Sequence, residues 1–285
     1  MSSKVWARLA VAVAILWTLL PLYWFLKLGF ETIGEVAHYP PYFFPPNPQP
    51  GAFFNIFGFD YHTANGIDLP ASGQASQVID GIRNSIIVAI IVTILTMIFV
   101  VPLAYVFARL EFAYKNLLLA AVLLAASLPP VSTLIPFYSL YVQLELVGTL
   151  TGLVIVTLTV TIPFVTWMLI GFFRNLPPVE QLARIDGFSR LYTLFFVIIP
   201  MARSGITVAA IIAFLFSWNE FVYASVLVTG TEAVTLPVAL SGFLFQAPQP
   251  DHLAAALCLT VVPPLLVAFF LQRHIAEMNL VDPVR

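Results

Sequence analysis

From Ser85 to Ala108 this chain carries no charged side chain, and it carries none again from Asn116 to Val142. A helix needs about 20 mostly apolar residues to cross the hydrocarbon of a bilayer. Four further stretches qualify: Leu9–Leu26, Leu153–Phe173, Gly205–Thr229 with the single charge of Glu220, and Leu253–Leu271. Runs like these must be buried, either in protein or in lipid, and composition decides which. Only 9% of the 285 residues are charged, while 60% are hydrophobic. Ordinary soluble domains carry about 25% charged residues. A surface so poor in charge cannot cover a water-soluble globule of this size. The expected fold class is all-α: a polytopic membrane bundle of six transmembrane helices.

The first stretch follows Lys4 and Arg8, as a secretory signal would. It is longer than a signal core and lacks a small-residue cleavage site, so it reads as a retained anchor. Orientation follows from the cations. With the N-terminus in the cytoplasm, Lys4, Arg8, Arg109, Lys115, Arg174, Arg184, Arg190, Arg203, Arg273 and Arg285 all lie inside. Only Lys27 and Arg83 lie outside. Both termini are therefore expected in the cytoplasm. The net charge of −2 and the absence of a basic run argue against nucleic acid as a partner. The single cysteine, Cys258, excludes an internal disulfide and reads as a small core residue. His38, His62, His252 and His274 fall outside the expected spans, which argues against haem held between helices.

Two polar segments remain. Glu31 to Arg83, on the outside, is rich in proline and aromatics, including Pro40 to Pro46, and repeated proline denies it a long helix. It reads either as an ordered loop at the membrane interface or as a contact surface for an extracytoplasmic partner. The other segment, Arg174 to Ser204, lies inside. Pro178 suits the first position of a helix and Glu180 its positive end. Gly187 suits its C-terminal turn, and Asp186 can cap the segment that follows. Val179, Leu182 and Ala183 would share one face. A helix of two turns is not stable alone in water. It must pack on its own membrane domain or on a cytoplasmic partner, and spacing alone does not choose between them.

Glu180, Ala183, Asp186, Gly187, Ile198, Pro200 and Gly205 stand where the "EAA" loop of importer-type ABC transporter permeases has its marked positions. Phe172 to Pro177, Asn84-Ser85, Ala108 to Phe112, Ser217 to Phe221 and Leu236 to Ala239 also resemble the carbohydrate branch of that family. Gln181, Leu182 and Ser204 depart from the pattern. The resemblance runs from about Asn84 to Arg273. It implies a type I importer permease, and a coupling helix formed by Glu180, Gln181, Leu182, Ala183 and Arg184. That helix would be cornered by Asp186 and Gly187, followed by Pro200, and seated on a separate ATPase. The implied partners are two copies of a cytoplasmic ABC ATPase, a second permease chain related to this one but not identical, and an extracytoplasmic solute-binding protein. The implied location is the cytoplasmic membrane of a bacterium or archaeon. The implied cargo is a sugar, oligosaccharide, polyol or sugar phosphate. No cofactor is expected in this chain. It has no Gly-x-x-x-x-Gly-Lys-Ser/Thr motif, so ATP and magnesium belong to the partner ATPase, and the chain is not expected to be an enzyme.

Within the spans, Glu220 beside Trp218 and Asn219 is costly in lipid and must face the interior of the assembly. Asn219 and Glu220 then either line the solute pathway or hold two helices together. Tyr138, Trp218, Asn219 and Glu220 are the candidate pathway residues. A stand-alone secondary transporter working through Glu220 is the competing reading; it would need paired ionisable groups in the spans, and none is visible. Pro102, Pro129-Pro130, Pro136, Pro163 and Pro263-Pro264 are expected to kink or break their helices. The expected organisation is an N-terminal anchor (1–30), an extracytoplasmic loop (31–83), a five-helix permease core (84–272) containing the loop 174–204, and a cytoplasmic tail (273–285).

Overall fold

The computed structural model describes residues 3–62, 68–71, 73–246 and 248–278. Five of its helices are long and apolar enough to cross a membrane: Lys4–Leu28, Gly73–Arg109, Leu150–Arg174, Arg203–Leu227 and Pro250–Phe270. A sixth crossing is a broken pair, Lys115–Ser127 and Pro130–Gln143, bent by 92°. The chain is a multi-pass membrane protein, and the six expected spans are all found as helix.

Three details differ from the sequence reading. The second span was expected to open at Ser85, but its helix starts at Gly73. Asp80 and Arg83 lower the hydropathy of those first turns without interrupting the helix. The third span breaks at Pro129-Pro130, as those prolines led one to expect. Pro129 and Pro130 remove two consecutive backbone donors, and the chain turns there. The other prolines act more weakly: Pro102, Pro136 and Pro163 remain inside continuous helices. The last helical segment is interrupted at Val261, ahead of Pro263-Pro264, and then runs on from Val262 to Met278. The expected tail from Arg273 thus begins as helix, and its residues 279–285 lie outside the described ones.

The structure comprises two compact units, one formed by the chain through Ile82 with Thr235–Pro263, the other by Arg83–Val234 with the residues from Pro264. In the first, the Pro250–Thr260 helix packs against the Ser3–Leu28 helix and the short Gly51–Ile56 helix. Ile56, Val78, Leu236 and Phe243 are fully buried there. A strand pair, Tyr61–His62 with Asp68–Leu69, closes the outer loop. The loop's aromatics pack on one another: Phe30 lies 4.9 Å from Phe53 and Phe54 5.8 Å from Tyr61. Lys27 and Glu31 form a buried ion pair at 2.8 Å, with Lys27 also 4.4 Å above the Trp24 ring. His252, expected outside the spans, lies in the first turn of the last crossing, buried and 3.3 Å from Asn55.

In the second unit, Val100, Ala104, Tyr105, Phe173, Leu194 and Ile198 share one apolar core. Asn84 opens this unit. Its amide donates to the carbonyls of Glu232 and Val234, both at 2.8 Å, and so fixes the loop that follows the fifth span.

The loop after the first span carries a pH-dependent cap. Thr32 and Glu35 form a capping box around the Ile33–Val36 helix, and Glu35 also accepts from Asn47. Burial alone would raise the Glu35 carboxyl, but the bonds from Thr32 and Asn47 outweigh it and hold it below its ordinary value. A depressed carboxyl stabilises above its unfolded pKa and loses that contribution as pH falls through its folded value. Glu35→Gln is therefore expected to cost about 1 kcal/mol at pH 7. A thermal melt should show this as a drop of about 2–4 °C. The difference should shrink as pH falls below the ordinary carboxylate range and vanish once the folded-state Glu35 carboxyl is itself protonated.

Candidate functional site

The loop between the fourth and fifth spans forms the expected short helix, Glu180–Ile185, two residues later than Pro178 would have started it. Val179 sits at its N-cap without a side-chain bond. The helix is closed by a Schellman motif. Gly187 adopts φ +84°, its amide donates to the Arg184 carbonyl, and the Phe188 amide donates to the Ala183 carbonyl. A side chain at this φ would be strained, which is the physical reason for glycine here. Asp186 is the C-cap of this helix and does not cap the next segment. That role belongs to Ser189, whose hydroxyl accepts from the Tyr192 amide at 3.2 Å.

The faces also sort differently from the expectation. Ala183 is 6% exposed, but Leu182 is 64% and Ile185 81% exposed. Leu182 therefore points away from the face that Ala183 buries, because one helical step of about 100° separates neighbours. Gln181 and Arg184 are exposed as well. The helix leans on its own unit through Ala183 and Val179 and offers apolar side chains outward.

The helical run after the corner, Arg190–Met201, contains a π turn from Leu194 to Ile198. The Ile199 amide reaches back five residues to the Leu194 carbonyl. Pro200 follows at once and has no amide to donate. A wider turn just before it makes room for its ring and re-registers the ladder. Beyond it, Gly205 faces the Phe172 ring so closely that an added Cβ would lie 2.5 Å from ring atoms. Only glycine lets the fifth span start against the end of the fourth.

Arg109 holds this arrangement together. It ends the Gly73–Arg109 helix, and its Nη2 donates to the carbonyls of Leu176 at 2.6 Å and Pro177 at 3.0 Å. Its Nε lies 3.3 Å from Glu180 Oε1, and its side chain is 12% exposed. Hydrogen bonds from a charged donor contribute about 1.5–3 kcal/mol. The Glu180 contact, partly buried and still reached by water, is an ion pair of about 1 kcal/mol or less. The carbonyl bonds therefore dominate, and the Glu180 contact sets direction more than strength. In the sequence Arg109 marks only the close of a span; nothing in its spacing reveals that it reaches the loop 67 residues further on. Between it and the coupling helix lies a cavity of about 300 Å³ whose walls include Tyr105, Arg184 and Arg190.

The candidate pathway residues divide. Asn219 and Glu220 line a second cavity of about 450 Å³, together with Thr157, Thr161 and Tyr223. Trp218 is buried and stacks on Phe214 at 6.0 Å, and Tyr138 lies elsewhere on its helix; neither lines this cavity. The fifth span is broken here. Its first helix ends at Trp218 and a second runs from Val222 to Leu227. Glu220 sits in the break, and its carboxylate caps the second helix, accepting from the Tyr223 amide at 2.8 Å and the Ala224 amide at 3.0 Å. Asn219 donates to the Leu215 carbonyl at 2.8 Å and so terminates the first. The Tyr223 hydroxyl lies 2.6 Å from that of Thr133, just past the break in the third span. Glu220 is therefore engaged by backbone amides. Among the described residues, no group of three or more His, Cys, Asp or Glu is placed to hold a metal ion.

The comparisons with known proteins fit this geometry. The family of binding-protein-dependent transport system inner membrane components matches residues 100–277. The chain is 35% identical to a putative ABC transporter permease protein of Streptomyces antibioticus, over 71% of this chain and 89% of that one. It is 30% identical to the diacetylchitobiose uptake system permease protein NgcG of Streptomyces coelicolor, covering 96% and 88%. It is 33% identical to the trehalose transport system permease protein SugB of Mycobacterium tuberculosis, covering 69% and 73%. A crystallised bacterial ABC transporter involved in the import of the acidic polysaccharide alginate has a chain of the same fold, with TM-score 0.74, 17% identity and 95% of each chain covered. The protein is thus a membrane permease of the ABC class. It belongs to the inner-membrane components of binding-protein-dependent importers.

Replacing Arg109 with Gln is expected to raise hydrogen exchange at amides 176–185 by about tenfold or more, since at least one charge-assisted bond is lost. Exchange in the Leu150–Arg174 helix should stay unchanged. Gly205→Ala is expected to cost about 1–3 kcal/mol through overpacking against Phe172. A thermal melt of the purified protein checks it.

Proposed function

We propose that this permease passes a carbohydrate across the cytoplasmic membrane by alternating access, driven by a separate ATPase seated on the Glu180–Ile185 helix. The observation that carries the proposal is the construction of that helix. It is clamped at its entry by Arg109, locked at its exit by Gly187, and exposes Leu182 and Ile185. Exposed apolar side chains on so short a helix are costly unless a partner covers them. A clamped lever transmits the partner's movement to the spans, where a loose one would absorb it.

The solute class rests on the relatives, whose names give trehalose, diacetylchitobiose and, at 29% identity, sulfoquinovosyl glycerol as what they transport. Hydroxyl and amide groups in the walls of the second cavity suit such solutes. One permease of six crossings forms half a pathway, so a second, related chain completes it. Two ATPase copies, holding ATP and magnesium, and an extracytoplasmic solute-binding protein complete the assembly. Both termini lie in the cytoplasm in this arrangement. The coupling helix then stands on the same side as Arg109, Arg174 and Arg184, as the distribution of cations requires.

Gentle detergent purification of the tagged chain from its host, followed by mass spectrometry, tests the assembly. A P-loop ATPase and a second permease are expected to co-purify. Recovery of a stable, monodisperse single chain would contradict the proposal. Glu220→Gln separates it from proton-coupled transport. Gln keeps one acceptor for the helix amides, so uptake should persist within about tenfold and should not acquire a proton requirement. Complete loss of uptake with the chain folded would favour the proton-coupled reading.

A further inference from the structure

The cavity beneath the coupling helix has a charge imbalance that coupling alone does not explain. Its walls contain three guanidinium groups, Arg109, Arg184 and Arg190, and one carboxylate, Glu180. Arg109 is already committed to two carbonyls and to Glu180. Arg184 and Arg190 have no ion pair or side-chain hydrogen bond with any described residue. Both side chains are exposed to water, which screens but does not abolish the repulsion between two cations facing one small cavity. Arg190 also opens a helical run, where the positive end of the backbone dipole opposes a cation. Among the described residues, no ion pair to Arg184 or Arg190 offsets either cost.

The surroundings indicate what does. Guanidinium forks match the paired oxygens of phosphate better than any other common anion. Arg109 is the last residue of its crossing, so the cavity lies level with the ends of the spans, where the polar layer of a bilayer begins. Anionic headgroups concentrate on that layer and attract basic residues beside helix ends. A volume of about 300 Å³ holds a phosphate group together with several waters. Tyr105, Gln181 and Thr193 add polar side chains to the wall.

We propose that this cavity binds a phosphate-class anion, carried by an anionic phospholipid headgroup or free in solution. The anion is held by Arg184 and Arg190 between the second span and the coupling helix. It neutralises the two arginines and ties the run that begins at Arg190 to the helix before the Gly187 corner. This binding does not depend on which solute the permease carries.

Native mass spectrometry of the intact, delipidated transporter tests it. The probes are dihexanoyl phosphatidylglycerol, dihexanoyl phosphatidylcholine and inorganic phosphate. One saturable adduct per copy of this chain is expected with phosphatidylglycerol or phosphate, at least about tenfold tighter than with phosphatidylcholine. Saturation by phosphatidylglycerol alone assigns the anion to lipid, and equal saturation by inorganic phosphate assigns it to the free ion. Arg190→Gln should weaken the adduct about tenfold, while Arg190→Lys, which keeps the charge but loses the fork and reports on folding, should fall between Gln and wild type. Arg8→Gln, on the first helix, should change nothing. The absence of a saturable adduct, or equal binding by Arg190→Gln and wild type, would overturn the proposal.

Discussion

A single arginine at the end of the second span anchors the loop between the fourth and fifth spans. Arg109 donates to the carbonyls of Leu176 and Pro177 while facing Glu180. The Pro177 carbonyl also accepts from the Val179 amide at 2.9 Å, so Arg109 adds a charged donor to a turn that the backbone has already begun. With the entry clamped, the Schellman turn at Gly187 fixes the exit. The short helix then inherits its stability from both ends. Its own two turns could not supply it.

The same economy appears at the broken spans. Each break leaves backbone groups without partners at membrane depth, where water cannot serve them. The fifth span answers with its own side chains: Asn219 satisfies the end of one half-helix and Glu220 the start of the other. Tyr223 then meets Thr133 beside the break in the third span. A carboxylate used in this way is a structural anion with two amides around it. It brings polar groups to a cavity wall without requiring a proton relay.

Much of this was legible from residues. The six apolar runs became six crossings, and Gly187 and the proline pair at 129–130 acted as their conformational limits demand. What stayed hidden was whatever depends on distant partners. Asp186 and Ser189 are both competent caps, and only the turn around Gly187 decides which one serves the next helix. Leu182 looked like a partner of Ala183 because helical spacing permits it, but the chain's entry angle, set by Arg109, turns it outward. The start of the second helix was missed because Asp80 and Arg83 lower its hydropathy, although its first turns bury Ala75 and Val78 on one face. Glu220 looked isolated because its partners are main-chain amides, which a sequence does not display.

The most direct test is the ratio of solute imported to ATP hydrolysed in proteoliposomes containing the complete transporter, with wild type compared against Arg109→Gln. If Arg109 makes the coupling helix a rigid lever, ATP hydrolysis should continue within a few fold while solute moved per ATP falls about tenfold, the equivalent of losing one charge-assisted bond. An unchanged ratio, with the substituted chain folded and assembled, would contradict the account.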